Sequence, residues 1–92
     1  MLTERQKRLL QIIVEAYVSD AEPIASGFLV DKLAESVSSA TIRNEMSELE
    51  KAGYIFQPHT SSGRIPTEKA YQYYIESFLD KKKRMNRSME ED

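Results

Sequence analysis

Three prolines and three glycines break this 92-residue chain into short segments, and that punctuation permits only brief elements packed around one core. Pro23 disfavours helical geometry at Glu22. Gly53 suits the left-handed turn that closes a helix. Pro58, Gly63 and Pro66 lie close together and mark a turn flanked by short strands.

Between these breaks apolar residues recur at helical spacing. Thr3 and Gln6 form a capping-box pattern that opens a helix from Glu4 to about Val18. Its stripe is Leu9, Ile12, Ile13, Ala16 and Tyr17, widened by Leu10 and Val14. A second, short helix starts at Ala25 or Ser26 and carries Phe28, Leu29 and Leu33 inward, before a brief connection from Ala34 to Val37. Ser38 is placed to cap a third helix, whose buried stripe is Ile42, Met46 and Leu49. Tyr54 to Gln57 reads as a strand, Thr60 to Gly63 as a turn, and Arg64-Ile65-Pro66 as a returning edge strand. Thr67 caps a last helix with an inner stripe of Ala70, Tyr71, Tyr74, Ile75, Phe78 and Leu79, while Tyr73 projects elsewhere. Lys81 to Arg84 fall near its end, where positive charge suits the helix dipole. The expected architecture is mainly α with a small β-hairpin: a winged helix-turn-helix with a three-helix core, a two-stranded wing and an extra C-terminal helix. Residues 1–84 form this domain, and 85–92 read as a disordered charged tail.

Composition removes several function classes. Apolar residues make up 40% and charged residues 30% of the chain, which is ordinary for a globular domain. Without cysteine there is no disulfide framework, thiolate metal site or cysteine nucleophile. His59 is the only histidine, so neither a metal site nor a Ser–His–acid set is expected, and no cofactor is implied. The N-terminus lacks a signal-peptide layout and no run is apolar enough to cross a bilayer, so the reading is cytoplasmic, with no membrane partner. No enzyme is expected.

A net charge of −2 sits against the basic character of most nucleic-acid-binding domains. Its distribution matters more than its total. Residues 37–67, which hold the third helix and the hairpin, balance Arg43, Lys51 and Arg64 against Glu45, Glu48 and Glu50. Duplex binding by this chain must therefore use a few well-placed cations and many neutral donors. The third helix supplies them: Ser39, Ala40, Arg43, Asn44 and Ser47 fall mainly opposite its apolar stripe, near the N-terminal end. A recognition helix presents those turns to the major groove. There Arg43 suits a guanine edge and Asn44 an adenine edge. Ser38, Ser39 and Thr41 are placed to donate to phosphates, and the small Ala40 permits close approach. The hairpin tip, His59, Thr60, Ser61, Ser62, Gly63 and Arg64, carries hydroxyls, a glycine and one certain cation, which suits the sugar–phosphate backbone. Taken alone, the helix reads equally well as an amphipathic helix with a solvated face, and the tip as a solvated hairpin. The short helix and tight turn before Ser38 favour DNA.

Ser38-Ser39-Ala40-Thr41-Ile42-Arg43-Asn44-Glu45-Met46, Leu49-Glu50, Gly53-Tyr54-Ile55, Pro58-His59-Thr60-Ser61 and Gly63-Arg64-Ile65-Pro66-Thr67 closely resemble the HrcA family of bacterial heat-shock repressors. Leu2 to Gln6 and Glu22-Pro23 agree as well, and the resemblance covers about residues 2–80. It implies an N-terminal winged helix-turn-helix that represses chaperone operons by binding an inverted-repeat operator as a homodimer. It also implies that Ser39, Thr41, Arg43 and Asn44 face the operator, flanked by the wing from His59 to Arg64. Ala25-Ser26-Gly27 stands where the family usually has Gly-Ser-Arg, which removes one basic contact. Family members continue into a larger C-terminal portion that dimerises and responds to the chaperonin system. This chain lacks it, so weak or absent dimerisation is expected of the chain alone. The competing reading is a winged-helix protein-interaction module without DNA binding, which the acidic total favours.

Overall fold

The computed structural model describes residues 1–33 and 35–90, with side chains as far as Lys81. Its elements are α1 (Glu4–Asp20), α2 (Ser26–Lys32), α3 (Ser39–Lys51), β1 (Ile55–Phe56), β2 (Ile65–Pro66) and α4 (Glu68–Glu90). This is the order expected of a winged helix-turn-helix.

Thr3 and Gln6 cap α1 reciprocally: the Gln6 amide donates to Thr3 Oγ1 at 3.1 Å, and the Thr3 amide to Gln6 Oε1 at 3.0 Å. The helix runs two residues past the expected end, because Pro23 restrains Glu22 and not Ser19 or Asp20. It stops instead at Ala21, which takes a left-handed conformation (φ 56°) and donates its amide to the Tyr17 carbonyl. A Cβ is unfavourable in that conformation. Ala21→Gly should therefore raise unfolding free energy by about 0.5–1 kcal/mol, net of the greater freedom of an unfolded glycine. Chemical denaturation of both chains would measure it.

Leu9, Leu10, Ile13 and Val14 of α1 meet Leu29 of α2, Leu33 just after it, and Ile42, Met46 and Leu49 of α3, and Ile24, Ile55 and Ala70 close the core. The buried face of α1 is centred nearer Leu10 and Val14 than its sequence stripe suggests, leaving Ile12, Ala16 and Tyr17 half-buried. β1 and β2 pair antiparallel, Ile55 with Pro66 and Phe56 with Ile65.

The hairpin differs from expectation in one respect. Arg64-Ile65-Pro66 is not an edge: Ile24 pairs with Arg64 across the other side of the chain. The Ile24 amide donates to the Arg64 carbonyl at 2.7 Å, and the Arg64 amide to the Ile24 carbonyl at 2.9 Å. The two-stranded wing thus gains a third rung from the α1–α2 connection. Its cause lies at Gly63, which is buried against Pro23. A Cβ there would lie 2.9 Å from Pro23 Cβ and 3.0 Å from the Pro23 carbonyl carbon.

α4 departs further. Ala70 is buried and Tyr71 and Tyr74 are half-buried, but Ile75, Phe78 and Leu79 are 54%, 54% and 50% exposed. These three lie beyond the core cluster, and Phe78 stacks on the half-buried Tyr74 with ring centroids 6.3 Å apart. Tyr73, expected to project away, packs edge-on against Tyr54 with ring centroids 6.1 Å apart. The Thr67 hydroxyl lies 2.6 Å from the Gly53 carbonyl and 3.0 Å from that of Tyr54, tying the start of α4 to the entry of β1. The helix continues to Glu90, past residue 85 where a disordered tail was expected. Of that tail, residues 91 and 92 lie outside the described residues, and so do the side chains of residues 82–90, which include most of the Lys81–Arg84 run. Ala34 of the expected α2–α3 connection also lies outside them. No helix among the described residues is long and apolar enough to cross a membrane.

Candidate nucleic-acid interface

α3 is fixed on one side only. Ile42, Met46 and Leu49 are buried, and the opposite side holds the exposed Ala40, Arg43, Asn44 and Ser47. Ser38 caps the helix, accepting the Thr41 amide at 3.1 Å and donating to Thr41 Oγ1 at 3.0 Å. The Ser38 hydroxyl thus holds the first turn of α3 in place. The Thr41 hydroxyl, half-buried, keeps its own proton for another acceptor. Among the described residues, Ser39, Arg43, Asn44 and Ser47 have no side-chain partner in the chain. Burying the stripe against α1 and α2 therefore turns an uncompensated guanidinium and a free carboxamide outward on the first turns of the helix.

The wing is tighter than its composition suggests. Ser61 Oγ accepts the Gly63 amide at 3.0 Å, and the Ser61 carbonyl accepts from Gln57 at 3.3 Å. Ser61 is accordingly half-buried and shapes the turn. Buried Gly63 cannot meet a ligand through its α-carbon, so its place in the tip is one of packing. His59, Thr60 and Ser62 are exposed, with no side-chain partner among the described residues. Arg64 is the largest departure. Its Nε lies 2.9 Å from Glu50 Oε1 and its Nη1 2.7 Å from the Ser62 carbonyl, so the wing's cation is neutralised within the fold.

α3, the start of α2 and the wing enclose an open groove lined by Ser26, Arg43, Asn44, Met46, Ser47, Glu50, Ser62 and Arg64. Ser26 and Glu50 were not among the expected site residues. Glu50 was detectable in principle, since it stands seven residues after Arg43 and so shares its side of the helix. Ser26 was not, because only the packing of α2 brings it there. No group of histidines, cysteines and carboxylates suited to a metal ion occurs among the described residues.

The family model for the winged helix-turn-helix transcription repressor HrcA, DNA-binding, matches residues 1–78. This chain belongs to the HrcA family. The heat-inducible transcription repressor HrcA of Acetivibrio thermocellus is 51% identical over 78 residues, covering 85% of this chain and 22% of that protein. HrcA of Pelotomaculum thermopropionicum is 48% identical over 90 residues, covering 98% of this chain and 26% of its own length. A crystal structure described as that of a hypothetical protein at 2.2 Å resolution superposes with a TM-score of 0.81 at 46% identity. That match covers 86% of this chain and 25% of the other. The chain spans about a quarter of the length of the curated HrcA relatives it matches. Those relatives are transcription repressors, not enzymes. The HrcA match takes in α3, the wing and the α1 contacts that hold them.

One of those contacts ties the approach to α3 to α1 in this HrcA-family domain. Glu35, just before α3, pairs with Arg8 and lies 3.5 Å from Arg5 Nε, both on α1. The bonds from Arg8 and then Arg5 hold its carboxyl below the usual carboxylate range. A lowered folded-state pKa gives stability that is complete above the ordinary value of 4.5 and lost as pH falls through the folded value. Wild type should therefore lose more melting temperature than Glu35→Gln as pH is lowered from neutral into this acidic window. Parallel pH dependences in the two chains would show that pairing with Arg8 and Arg5 does not stabilise the fold.

Proposed function

We propose that this chain is a sequence-specific double-stranded DNA-binding domain of a transcriptional repressor, acting on chaperone genes through an inverted-repeat operator. The observation that carries the proposal is the free, outward Arg43 and Asn44 on the first turns of α3. A guanidinium and a carboxamide in that position match the edges that guanine and adenine show in the major groove. Ser39, Ala40, Thr41 and Ser47 approach the backbone and base edges beside them. His59, Thr60 and Ser62 at the wing tip offer neutral contacts to the flanking sugar–phosphate chain. Family membership supports the same reading.

With Arg43 as the unpaired cation on this side of α3, one copy binds weakly. Tight binding takes two copies on half-sites about 34 Å, or a multiple of that, apart. The dimer contact and the chaperonin-linked response implied by the resemblance are assigned to the part of the relatives beyond the quarter matched here. With DNA as its target in a family of bacterial repressors, the protein works in the cytoplasm.

Selecting duplexes from a random pool with this chain, then titrating salt, tests the reading. Enriched sequences should share a half-site, and log K should fall linearly with log salt concentration. A protein-interaction module would enrich no sequence and show no such slope.

A further inference from the structure

We propose that Glu50 is the internal counterion of the wing: it withholds Arg64 from the DNA backbone and thereby limits how tightly the domain grips any duplex. This rests on the DNA-binding reading above and assigns a residue that the reading does not need.

Arg64 is held at several points. Its backbone amide and carbonyl pair with Ile24, its Nη1 donates to the Ser62 carbonyl, and its Nε donates to Glu50. With 24% of the Arg64 side chain and 37% of the Glu50 side chain exposed, the pair is partly shielded from water and ions. Glu50 sits on the side of α3 that also carries Arg43 and Ser47, and these three line one groove with Arg64. A phosphate approaching that groove from the wing side meets a neutral pair instead of a cation. Removing only the negative charge leaves three of the four tethers of Arg64, and a glutamine at 50 still offers Nε a carbonyl oxygen. The guanidinium then stays where it is and presents a net positive charge beside Arg43. Phosphate contacts carry no sequence information, so the gain applies to every duplex.

The test compares wild type, Glu50→Gln and Glu50→Gln/Arg64→Gln on a mixed-sequence duplex by fluorescence anisotropy across a salt series. One added phosphate contact steepens the slope of log K against log salt by about 0.9 and tightens binding about 5–10-fold near 0.1 M salt. Glu50→Gln should show both changes, and the double variant should lose them. A purely structural tie would instead lower the melting temperature and weaken binding, with no steeper slope. That result, or an unchanged slope, overturns the proposal while leaving the DNA reading intact. Absence of salt-dependent duplex binding by wild type overturns both. Should Glu50→Gln fail to fold, Arg64→Gln serves instead. It uncovers the Glu50 charge and must weaken binding to the mixed-sequence duplex, and unchanged binding there overturns the proposal.

Discussion

Arg43→Ala should cost about 1–3 kcal/mol of affinity for the selected duplex while leaving affinity for scrambled DNA far less affected. The expectation follows from how α3 is held. Its inward side is committed to Ile42, Met46 and Leu49, and Ser38 fixes its first turn, so Arg43 projects from a rigid base. The guanidinium has no carboxylate to leave among the described residues, so its donors are available without breaking an internal pair. Two donors on a guanine edge discriminate bases, whereas one donor on a phosphate does not. Competition binding on selected and scrambled duplexes separates these cases. Equal losses on both would reassign Arg43 to the backbone.

Gly63→Val should destabilise the domain by roughly 1–3 kcal/mol, in line with overpacking a close contact. The effect comes from backbone and ring atoms that cannot rotate away. The new Cβ would sit 2.9 Å from Pro23 Cβ, 3.0 Å from its carbonyl carbon and 3.1 Å from the Ile24 carbonyl oxygen. Relief requires the wing to move away from the α1–α2 connection, which strains the two hydrogen bonds between Ile24 and Arg64. Denaturant unfolding measures the loss. An amide spectrum of the variant should place its largest shifts at Ile24 and Arg64, far from Gly53. A variant as stable as wild type would show that the wing is not held by this approach.

Much of the fold was legible because its signals are local. Caps at Thr3 and Ser38 and the stripes of α1 and α3 depend on neighbours a few residues apart, and the helix order follows from them. The apolar run after Tyr74 misled the same logic. Spacing reports that Ile75, Phe78 and Leu79 share a stripe with Ala70, but not that the core ends near Tyr74 and leaves them exposed. Tyr73 was misplaced for a related reason, since Tyr54 reaches it only through the return of the hairpin.

The candidate interface divides along the same line. The chain's own order of residues determined that Arg43 and Asn44 face outward, because helical periodicity ties them to a buried stripe on the same element. Motif resemblance then implied that this side faces an operator. Tertiary structure alone decided what the wing does with its charge. Gly63 and Ser61, which looked like tip chemistry, build the turn and its contact with Pro23. Arg64, which looked like a phosphate ligand, is matched to a carboxylate fourteen residues earlier. That pairing depends on the hairpin folding back along α3, a distance no local spacing encodes. Residue types and period thus set which side chains can be offered to DNA, and packing set which of them are free.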